Sequence, residues 1–402
     1  MRILHTSDWH IGRTFHGHST TAHLEKVLEH LVSIVVDREI DVVVVAGDVF
    51  DSATPAAENF DVLTRVLGRL RATGTRIVMT SGNHDSATRL GFQSGFAELA
   101  GIHIITRHEQ SVTPITIDDD HGPVHFYGIP YLEPSMLRHR FPDVTLRTHT
   151  DALAFTMDSI RADLATRGGR SVVVSHCFTA DIAAVSSDVA HDNAIAQDNA
   201  ISQDNGERDI TAGGLDVVPL STFDGPDYVA LGHIHGRAQL SERARYSGAP
   251  LHYSFSEAAK PRGGWLVELD ASGLSSVEWV DLAVPRRLTV LTGELDALLQ
   301  DPAHAEHEQD WVSAILTDRV RPMDGMRRLQ ARFPFAATLE HRPVVVADAG
   351  ASSYGDRIKA KSDSEIVDGF LEFVRNGVGP SDDERQLIAD AIADQASTEV
   401  NS

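Results

Sequence analysis

Five apolar stretches of the chain each lead into side chains that can bind a metal ion. Each stretch reads as a β-strand, and Asp, Asn or His follows within a few residues of its end. These residues are Asp8 and His10 after ILHTS, Asp48 and Asp51 after VVVVAG, Asn83 and His84 after IVMTSG, His176 after VVVS, and His233 and His235 after YVALG. Mixed carboxylate, amide and imidazole ligands suit Mn²⁺, whereas a thiolate-rich set would indicate zinc. We therefore predict divalent metal chemistry at the ends of these strands.

Each of these motifs has a simpler explanation when it is taken alone. Gly, Asn and Asp are common turn residues, so the segment from Gly82 to Asp85 could be a turn and nothing more. A single His after a strand is usually a hydrogen-bonded structural residue. In α/β sheets, however, ligands bind outside the carboxyl ends of the strands. Repetition of the pattern at five strand ends therefore favours one shared site over five unrelated turns.

The elements that would position these side chains lie in the first 285 residues, where short strand patterns alternate with helical ones. The run from Val42 to Ala46 is apolar throughout, which suits a strand covered on both faces. In ENFDVLTRVLGRL, the apolar residues between Leu63 and Leu70 form one stripe of an amphipathic helix. We therefore predict a layered α/β domain over residues 1–285.

The pattern changes after Pro285. Residues 286–345 predict a small α+β module, and residues 346–362 read as a linker rich in Gly, Ser and charge. Residues 363–402 predict two helices, the second of which opens with a capping box formed by Ser381 and Glu384. The helices could pack on the preceding domain or dock to a partner. We favour docking, because an amphipathic pair behind a linker has little of its own to bury against.

A tandem repeat of six residues interrupts the first domain at 192–205, where the sequence reads DNAIAQDNAISQDN. Two copies cannot build a β-helix, which needs more repeats to bury a continuous core. The segment also lacks aromatic residues and apolar periodicity, so we predict an expanded surface loop.

The composition is that of a soluble globular protein with a large negative charge. The formal net charge of −23 repels a polyanion over much of the surface. A nucleic-acid substrate would therefore have to be attracted locally, through bound metal ions, a few Arg residues or a partner. Cys177 is the one cysteine, and no apolar run approaches the roughly 20 residues that span a bilayer. We expect a cytoplasmic protein, associated with the nucleoid when it acts on DNA.

The order of the motifs adds a family resemblance. The set D-x-H, G-D-x-x-D, G-N-H-D, a single H and G-H-x-H resembles the calcineurin-like metallophosphoesterases. Longer segments, including SDWHIGR, GDVFDSATP, YSGAPLHYSFSE and SEIVDGFLEFVRN, look like the nuclease subunits of this family that work with an SbcC-type ATPase. The resemblance implies a β-sandwich flanked by helices over 1–285, a small DNA-binding cap domain over 286–345, and C-terminal helices over 363–402 that dock the ATPase.

The resemblance also assigns the candidate ligands by motif position. It implies two divalent cations per subunit, most simply Mn²⁺, which clamp the attacking and leaving oxygens of a phosphodiester. One cation would be held by Asp8, His10, Asp48 and His235. The other would be held by Asp48, Asn83, His176 and His233, so that Asp48 bridges the two. Cys177 follows a ligand but should point to the opposite face of its strand.

His84 and Asp51 are left as candidate catalytic residues. The resemblance implies that His84 stabilises the pentavalent phosphorane and protonates the leaving 3′ oxygen, while Asp51 matches a position that pairs with this His in related phosphatases. A carboxylate there would fix the tautomer of the imidazole and raise its pKa, as general-acid catalysis requires. Asp85 reads as a turn or supporting residue. Arg13 and His16 could meet the DNA backbone at the mouth of the site or lie in a solvated loop.

The expected function is therefore a Mn²⁺-dependent DNA nuclease, with 3′→5′ exonuclease and single-strand or hairpin endonuclease activity. It would act with the ATPase in DNA end processing, repair and recombination. Relatives form a homodimer by helix packing at positions that correspond to ENFDVLTRVLGRL and LGFQSGFAELA, although burial inside one subunit would give the same pattern. The alternatives are a phosphodiesterase or phosphatase acting on small molecules, which would need no docking helices, and a non-catalytic scaffold, which would not need the intact ligand set.

Overall fold

The computed structural model describes residues 1–180, 217–343, 362–375 and 378–400, without the side chains of residues 373 and 394–400. The chain divides into two compact units, Met1–Pro285 and Arg286–Ser402. The loop predicted at 192–205 lies outside the described residues, and so does the linker predicted at 346–362 apart from Ser362.

Most strands of the first unit belong to two six-stranded sheets. The strands are β1 (Arg2–Thr6), β2 (Thr14–Phe15), β3 (His18–Ser19), β4 (Val42–Ala46), β5 (Arg76–Thr80), β6 (Ile102–Ile105), β7 (Ile115–Asp119), β8 (Gly122–Ile129), β9 (Arg170–His176), β10 (Thr179–Ala180), β11 (Val218–Pro219), β12 (Tyr228–Gly232), β13 (Ala238–Gln239), β14 (Ala244–Tyr246), β15 (Gly263–Asp270) and β16 (Gly273–Asp281). The first sheet has the order β16-β15-β1-β4-β5-β6, and the second has the order β13-β14-β12-β9-β8-β7. The pairs β2-β3 and β10-β11 stand outside these sheets.

Helices cover the outer faces of both sheets. They are α1 (Thr21–Asp37), α2 (Ala57–Ala72), α3 (Ala87–Leu90), α4 (Ser94–Leu99), α5 (His108–Ser111), α6 (Pro134–Arg140) and α7 (His149–Arg167), with 3₁₀ turns at Leu220–Phe223 and Phe255–Glu257. The longest of them are α1, α2 and α7, and their buried apolar residues contribute to the two outer layers of the core.

Alternate residues of the central strands face different hydrophobic layers. On β4, Val42 and Val44 pack between the two sheets, where Val174 of β9 meets them. Val43 and Val45 point the other way and pack with the buried faces of α1 and α2. The outer face of the second sheet is covered in the same way by α6 and α7. This arrangement of helices, sheet, sheet and helices confirms the predicted layered α/β fold, in which a β-sandwich is flanked by helices.

Parallel pairing brings the ligand-bearing strand ends to one edge of the sandwich. In the first sheet β4 pairs with both β1 and β5, and in the second sheet β9 pairs with β12. The two sheets approach each other closely at this edge, where a Cβ on Gly232 would overlap with the carbonyl oxygen of Ala46. Because Gly232 at the end of β12 has no side chain, the strand ends of the two sheets can come into contact here.

The two segments considered above for helix packing in a homodimer differ in exposure. The stripe between Leu63 and Leu70 on α2 is buried in the core of its own unit. In and beside α4, Phe92 and Phe96 are each 73% exposed and Leu99 is 85% exposed. Burial within the subunit therefore explains the stripe on α2, and the α4 segment is the one of the two that offers apolar surface.

The second unit contains a small parallel sheet and two C-terminal helices. Its elements are β17 (Leu288–Gly293), α8 (Leu295–Gln300), a 3₁₀ turn (Pro302–His307), β18 (Trp311–Leu316), α9 (Gly325–Arg332), β19 (Ala336–His341), α10 (Asp363–Val374) and α11 (Asp382–Val400). The three strands lie in the order β17-β18-β19 and are parallel. Leu291, Val312 and Leu329 lie in the core that these strands form with α8 and α9.

Side-chain hydrogen bonds connect the two C-terminal helices. Ser381 and Glu384 form the predicted capping box, with the Ser381 amide 2.9 Å from Oε2 of Glu384 and the Glu384 amide 3.3 Å from Oγ of Ser381. Both Nη atoms of Arg375 donate to the carboxylate of Glu384 at 2.8 Å, which ties α10 to α11. Among the helices in the described ranges, none is both long and apolar enough to cross a membrane.

Candidate metal centre

The shared edge of the two sheets gathers the predicted ligands into three overlapping groups. The groups are Asp8, His10 and His235; His10, Asp48 and His84; and Asp8, Asp48 and His176, and within each group the ligand atoms lie within 4.8 Å of one another. Oδ1 of Asn83 joins them, 3.0 Å from Nε2 of His176 and 3.1 Å from Nδ1 of His233. The structure thus brings all seven predicted ligands together. It also places His84 where it could be a ligand, which is an alternative to its predicted role outside the metal shell.

Four of the seven predicted ligands occupy a backbone conformation that residues other than glycine rarely adopt. The φ angle is 53° at Asp8, 46° at His10, 49° at Asp48 and 107° at His233. Hydrogen bonds hold these turns in place: the amides of Asp8 and His10 donate at 3.0 Å to the carbonyls of Gly47 and Asp48. Each such residue costs about 1–3 kcal/mol. A cluster of four strained residues at one point of the fold indicates a functional site.

The donor set fits a divalent cation. Nε2 of His10 and Nε2 of His235 lie 3.1 Å apart, and at most one of these nitrogens can donate a proton to the other. Asp8 and Asp48 are 0% and 2% exposed, so their negative charges are withdrawn from water. Convergent imidazole lone pairs and buried carboxylates are what a divalent cation such as Mn²⁺ would bind.

The protonation of the site follows from the same contacts. Burial disfavours the charged forms of both His176 and Asp48. The carboxylate of Asp48 lies 3.2 Å from Nε2 of His176 and nevertheless raises the pKa of that imidazole to about 9. In spite of burial, the positive charge on His176 holds the pKa of Asp48 well below its usual range. Burial lowers the pKa of His233 to about 3, so this imidazole is neutral at pH 7. A cation that binds His176 would therefore displace its proton.

Asp85 joins two of the loops that carry ligands. Its carboxylate accepts hydrogen bonds from the amides of Val49 at 3.0 Å, Phe50 at 2.9 Å and Gly82 at 2.9 Å. The first two amides follow β4 and the third follows β5, so one carboxylate fixes both turns. Burial, together with the nearby charge of Asp48, raises the pKa of Asp85 to about 6. This is the supporting place that the sequence predicts for Asp85.

The expected pairing of the Asp51 carboxylate with His84 needs correction. Nδ1 of His84 lies 2.9 Å from the backbone carbonyl oxygen of Asp51. The carboxylate of Asp51 turns instead to His10 and Arg13, 3.1 Å from Nδ1 of the former and 3.3 Å from Nη1 of the latter. The backbone still sets the tautomer of His84, because a carbonyl can only accept and Nδ1 must therefore carry the hydrogen.

Arg13 and His16 lie on the loop after the first motif. Arg13 is 8% exposed, pairs with Asp51, and places its guanidinium carbon 4.7 Å from the ring centre of Tyr253. His16 is half-buried and packs against Phe255, with ring centres 5.6 Å apart. Arg13 is therefore an internal support of the site in this structure, and His16 is the more accessible of the two.

Sequence reasoning missed Glu257 and Arg262. Oε1 of the buried Glu257 lies 3.4 Å from Nδ1 of His235, and its other oxygen accepts a hydrogen bond from Arg262 at 2.5 Å. Burial opposes ionisation, but the contacts with His235 and Arg262 lower the pKa of Glu257 to about 2. Neither residue follows a ligand-bearing strand, so the strand-end pattern could not find them. Their one signal was that Glu257 closes the segment YSGAPLHYSFSE.

Cys177 lies where the alternation of a strand places it. Its side chain is buried in the hydrophobic layer between the second sheet and its helices, on the side away from His176 and the metal centre. Burial raises the pKa of its thiol to about 12, so the thiolate form that binds metal is disfavoured.

Comparison with known proteins gives two family matches. A model described as calcineurin-like phosphoesterase matches residues 1–237, more than half of the chain. A second model, SbcD_C, described as the type 5 capsule protein repressor C-terminal domain, matches residues 284–375. Similar solved structures include TT1561 of Thermus thermophilus (11% identity, 70% of this chain and 99% of that chain, TM-score 0.40) and a dimetal phosphatase from Danio rerio (13% identity, 70% and 99%, TM-score 0.37).

Replacing Gly82 with Ala should lower the metal content of the chain. A Cβ at this position would overlap with the backbone nitrogen and carboxylate of Asp48, which would have to leave the shared edge. We expect G82A to lose at least one bound Mn²⁺ per chain and to have a lower melting temperature. Metal content can be measured by mass spectrometry after dialysis, and melting by circular dichroism.

The matched control is G68A. Gly68 lies within α2, and a Cβ there would meet no atom within 4 Å. Ala is favoured over Gly inside a helix by about 1 kcal/mol, so G68A should keep its metal and melt at the same or a higher temperature. Full metal occupancy in G82A would contradict the placement of Asp48 at the centre.

Proposed function

This chain belongs to the calcineurin-like phosphoesterase family, and we propose that within it the protein is an SbcD-like, Mn²⁺-dependent DNA nuclease subunit. It would degrade duplex ends as a 3′→5′ exonuclease and cut single strands or hairpins as an endonuclease. Its partner would be an SbcC-type ATPase, and its place the cytoplasm, at the nucleoid, in DNA end processing, repair and recombination.

One observation carries the choice of DNA over a small molecule. The SbcD_C match covers residues 284–375, directly behind a metal-dependent phosphoesterase domain. Under this proposal the module at 286–345 is the DNA-binding cap domain, 346–362 is the linker, and 363–402 docks the ATPase. A phosphatase for small molecules would use the same metal centre but would need neither of these appendages.

The accessible side of the centre is where a phosphodiester would enter. Asn83 is exposed and His84 is half-buried, whereas Asp8, His10, Asp48 and His176 are buried behind them. A backbone phosphate could therefore reach the ligands from the side of the loop that follows β5. His16 is half-buried on the loop after the first motif, and we propose it as a contact to the DNA backbone; the buried Arg13 on the same loop would act indirectly, by holding Asp51.

The side chains of the centre would have separate tasks. Two bound divalent cations, held by the seven predicted ligands, would supply an activated water and neutralise charge on the phosphodiester. His84 donates from Nδ1 to the carbonyl of Asp51, which orients the ring, and in its imidazolium form the ring would pass the Nε2 proton to the leaving 3′ oxygen and remain as the neutral Nδ1–H tautomer. Asp51 is a positioning residue that acts on His84 through its backbone and on His10 through its carboxylate.

The subunit would act as a homodimer. The exposed side chains of Phe92, Phe96 and Leu99 form an apolar patch on the α4 segment, and a second copy of the chain could cover it. With two ATPase chains this would give a heterotetramer.

Cleavage of linear duplex DNA tests the proposed substrate. With Mn²⁺ the purified chain should release nucleotides from the ends of linear duplex DNA, and a chelator should stop the reaction because it removes the cations that activate water. Closed circular duplex, which has no ends, is the control for exonuclease activity. If the chain hydrolyses bis(p-nitrophenyl) phosphate but not DNA, the small-molecule alternative is correct.

Replacement of His84 separates catalysis from metal binding. In H84Q the proton donor is gone, and cleavage should fall by about 10²–10⁴-fold, the usual contribution of general-acid catalysis. The metal content should stay at two Mn²⁺ per chain. The control is H121Q, which changes an exposed imidazole in the turn between β7 and β8 and should be neutral. Loss of a metal ion from H84Q would show that His84 is a ligand.

The C-terminal helices can be tested with single charges. Leu387 of α11 is 68% exposed, and an Asp there should weaken binding of the ATPase while leaving DNA cleavage by the isolated subunit unchanged. Val36 of α1 is 56% exposed and gives the matched control, V36D. Co-purification and analytical ultracentrifugation would measure binding. If deletion of residues 355–402 also leaves the complex intact, docking through these helices is refuted.

A further inference from the structure

Glu257 is a buried carboxylate that points at a metal ligand without being one of the seven. It ends the 3₁₀ turn Phe255–Glu257 and is 8% exposed. Its Oε1 lies 3.4 Å from Nδ1 of His235. Its Oε2 accepts hydrogen bonds from the amide of Tyr253 at 2.9 Å and from Nη2 of Arg262 at 2.5 Å. Both oxygens are therefore committed, and the carboxylate has a fixed orientation.

Arg262 connects this carboxylate to the backbone of the same ligand. It is 3% exposed, and its two terminal nitrogens diverge: Nη2 donates to Glu257 and Nη1 donates to the carbonyl oxygen of His235. The guanidinium of Arg262 thus binds both the main chain of His235 and Glu257, the carboxylate that faces the His235 ring. A planar guanidinium with fixed donor directions is well suited to this task.

The carboxylate decides which nitrogen of His235 faces the centre. An ionised carboxylate accepts and cannot donate, so Nδ1 must carry the hydrogen, and in the neutral ring Nε2 then presents its lone pair. Nε2 of His235 lies 3.1 Å from Nε2 of His10. The ring of His10 also has a carboxylate and an arginine on its far side: its Nδ1 lies 3.1 Å from Asp51, without hydrogen-bond geometry, and Asp51 pairs with Arg13 at 3.3 Å.

Two facing imidazoles are thus each backed by a carboxylate and an arginine. With Nδ1 of His235 protonated, its Nε2 lone pair points at Nε2 of His10 across 3.1 Å, and a cation near both nitrogens would stabilise this contact. Carboxylates behind metal-binding imidazoles are known to orient the ring and increase its basicity. The side chains on this side of the centre are therefore already oriented for cation binding in the metal-free chain.

We propose that Glu257, held by Arg262, is the positioning residue that fixes His235 as the Nδ1–H tautomer and so sets the metal affinity at the His10–His235 side of the centre. This deepens the proposed function and rests on its assignment of His10 and His235 as metal ligands. Glu257 touches neither substrate nor metal in this role; it acts through His235.

The first experiment measures metal binding by E257Q. Gln has nearly the same shape but lacks the charge, so the tautomer is no longer enforced. In calorimetric titrations with MnCl₂, the dissociation constant of one of the two equivalents should rise about 10–100-fold, the usual effect of losing such a carboxylate. The other equivalent should bind as in the wild type. E268Q, which changes a partly exposed carboxylate on β15, is the matched control and should leave both constants unchanged.

The second experiment needs no variant at the buried pair and guards against misfolding of E257Q. Long-range ¹H–¹⁵N correlation spectra of the metal-free wild-type chain report the tautomer of each imidazole, and the spectrum of H235Q assigns the signal. His235 should show a protonated Nδ1 and an unprotonated Nε2. A protonated Nε2, or wild-type Mn²⁺ affinity in a folded E257Q, would overturn the proposal.

The outcomes also separate this inference from the proposed function. Metal affinity and tautomer are measured without any substrate. Unchanged affinity in an E257Q protein that still cleaves DNA would overturn the positioning role and leave the nuclease intact. A raised dissociation constant in a chain that never cleaves DNA would support the positioning role and refute the DNA substrate.

Discussion

The structure depends on concentrating charge at the edge where two sheets meet. Asp8 and Asp48 are buried there. Moving an isolated carboxylate out of water raises the free energy by far more than one packing contact lowers it. Each charge therefore faces a donor. Oδ1 of Asp8 accepts from the amide of His233 at 3.0 Å, and Asp48 faces His176 and the amide of His84. Divalent cations would neutralise the buried carboxylates further, so metal binding and the local fold would stabilise each other.

The same edge concentrates backbone strain, which the sandwich has to hold. Four predicted ligands at positive φ, at about 1–3 kcal/mol each, together cost an amount comparable to the net stability of a typical domain, about 5–15 kcal/mol. The layer between the sheets and the helices outside them fix the strand ends from which these turns start. Asp85 then ties the turns after β4 and β5 to each other. The predicted ligands on these strained turns are thus held in position by the core and by Asp85.

Much of this could be predicted from the sequence, and the reasons are geometric. Parallel strands end at a common edge, so polar residues that follow five strands had to meet once the sheets formed. The orientation of individual side chains could not be predicted in the same way. The Asp51 carboxylate faces His10 because of its three-dimensional surroundings, which the periodicity of the sequence does not describe. Glu257 reaches His235 from a segment after β14, and their pairing exists only in three dimensions. Periodicity also could not decide whether the stripe on α2 packs on its own sheet or on a second subunit, since both require the same spacing of apolar residues.

The net charge of −23 has a physical consequence for a protein that binds DNA. Two arginines beside the predicted ligands, Arg13 and Arg262, do not offset it, because Arg13 faces Asp51 and Arg262 faces Glu257, and both are buried. Within the proposed function, the positive potential that meets a phosphate at this edge therefore comes mainly from the cations themselves. Metal ions would then attract the DNA backbone and also catalyse its cleavage, and the rest of the affinity would have to be supplied by the cap domain, the second subunit and the ATPase.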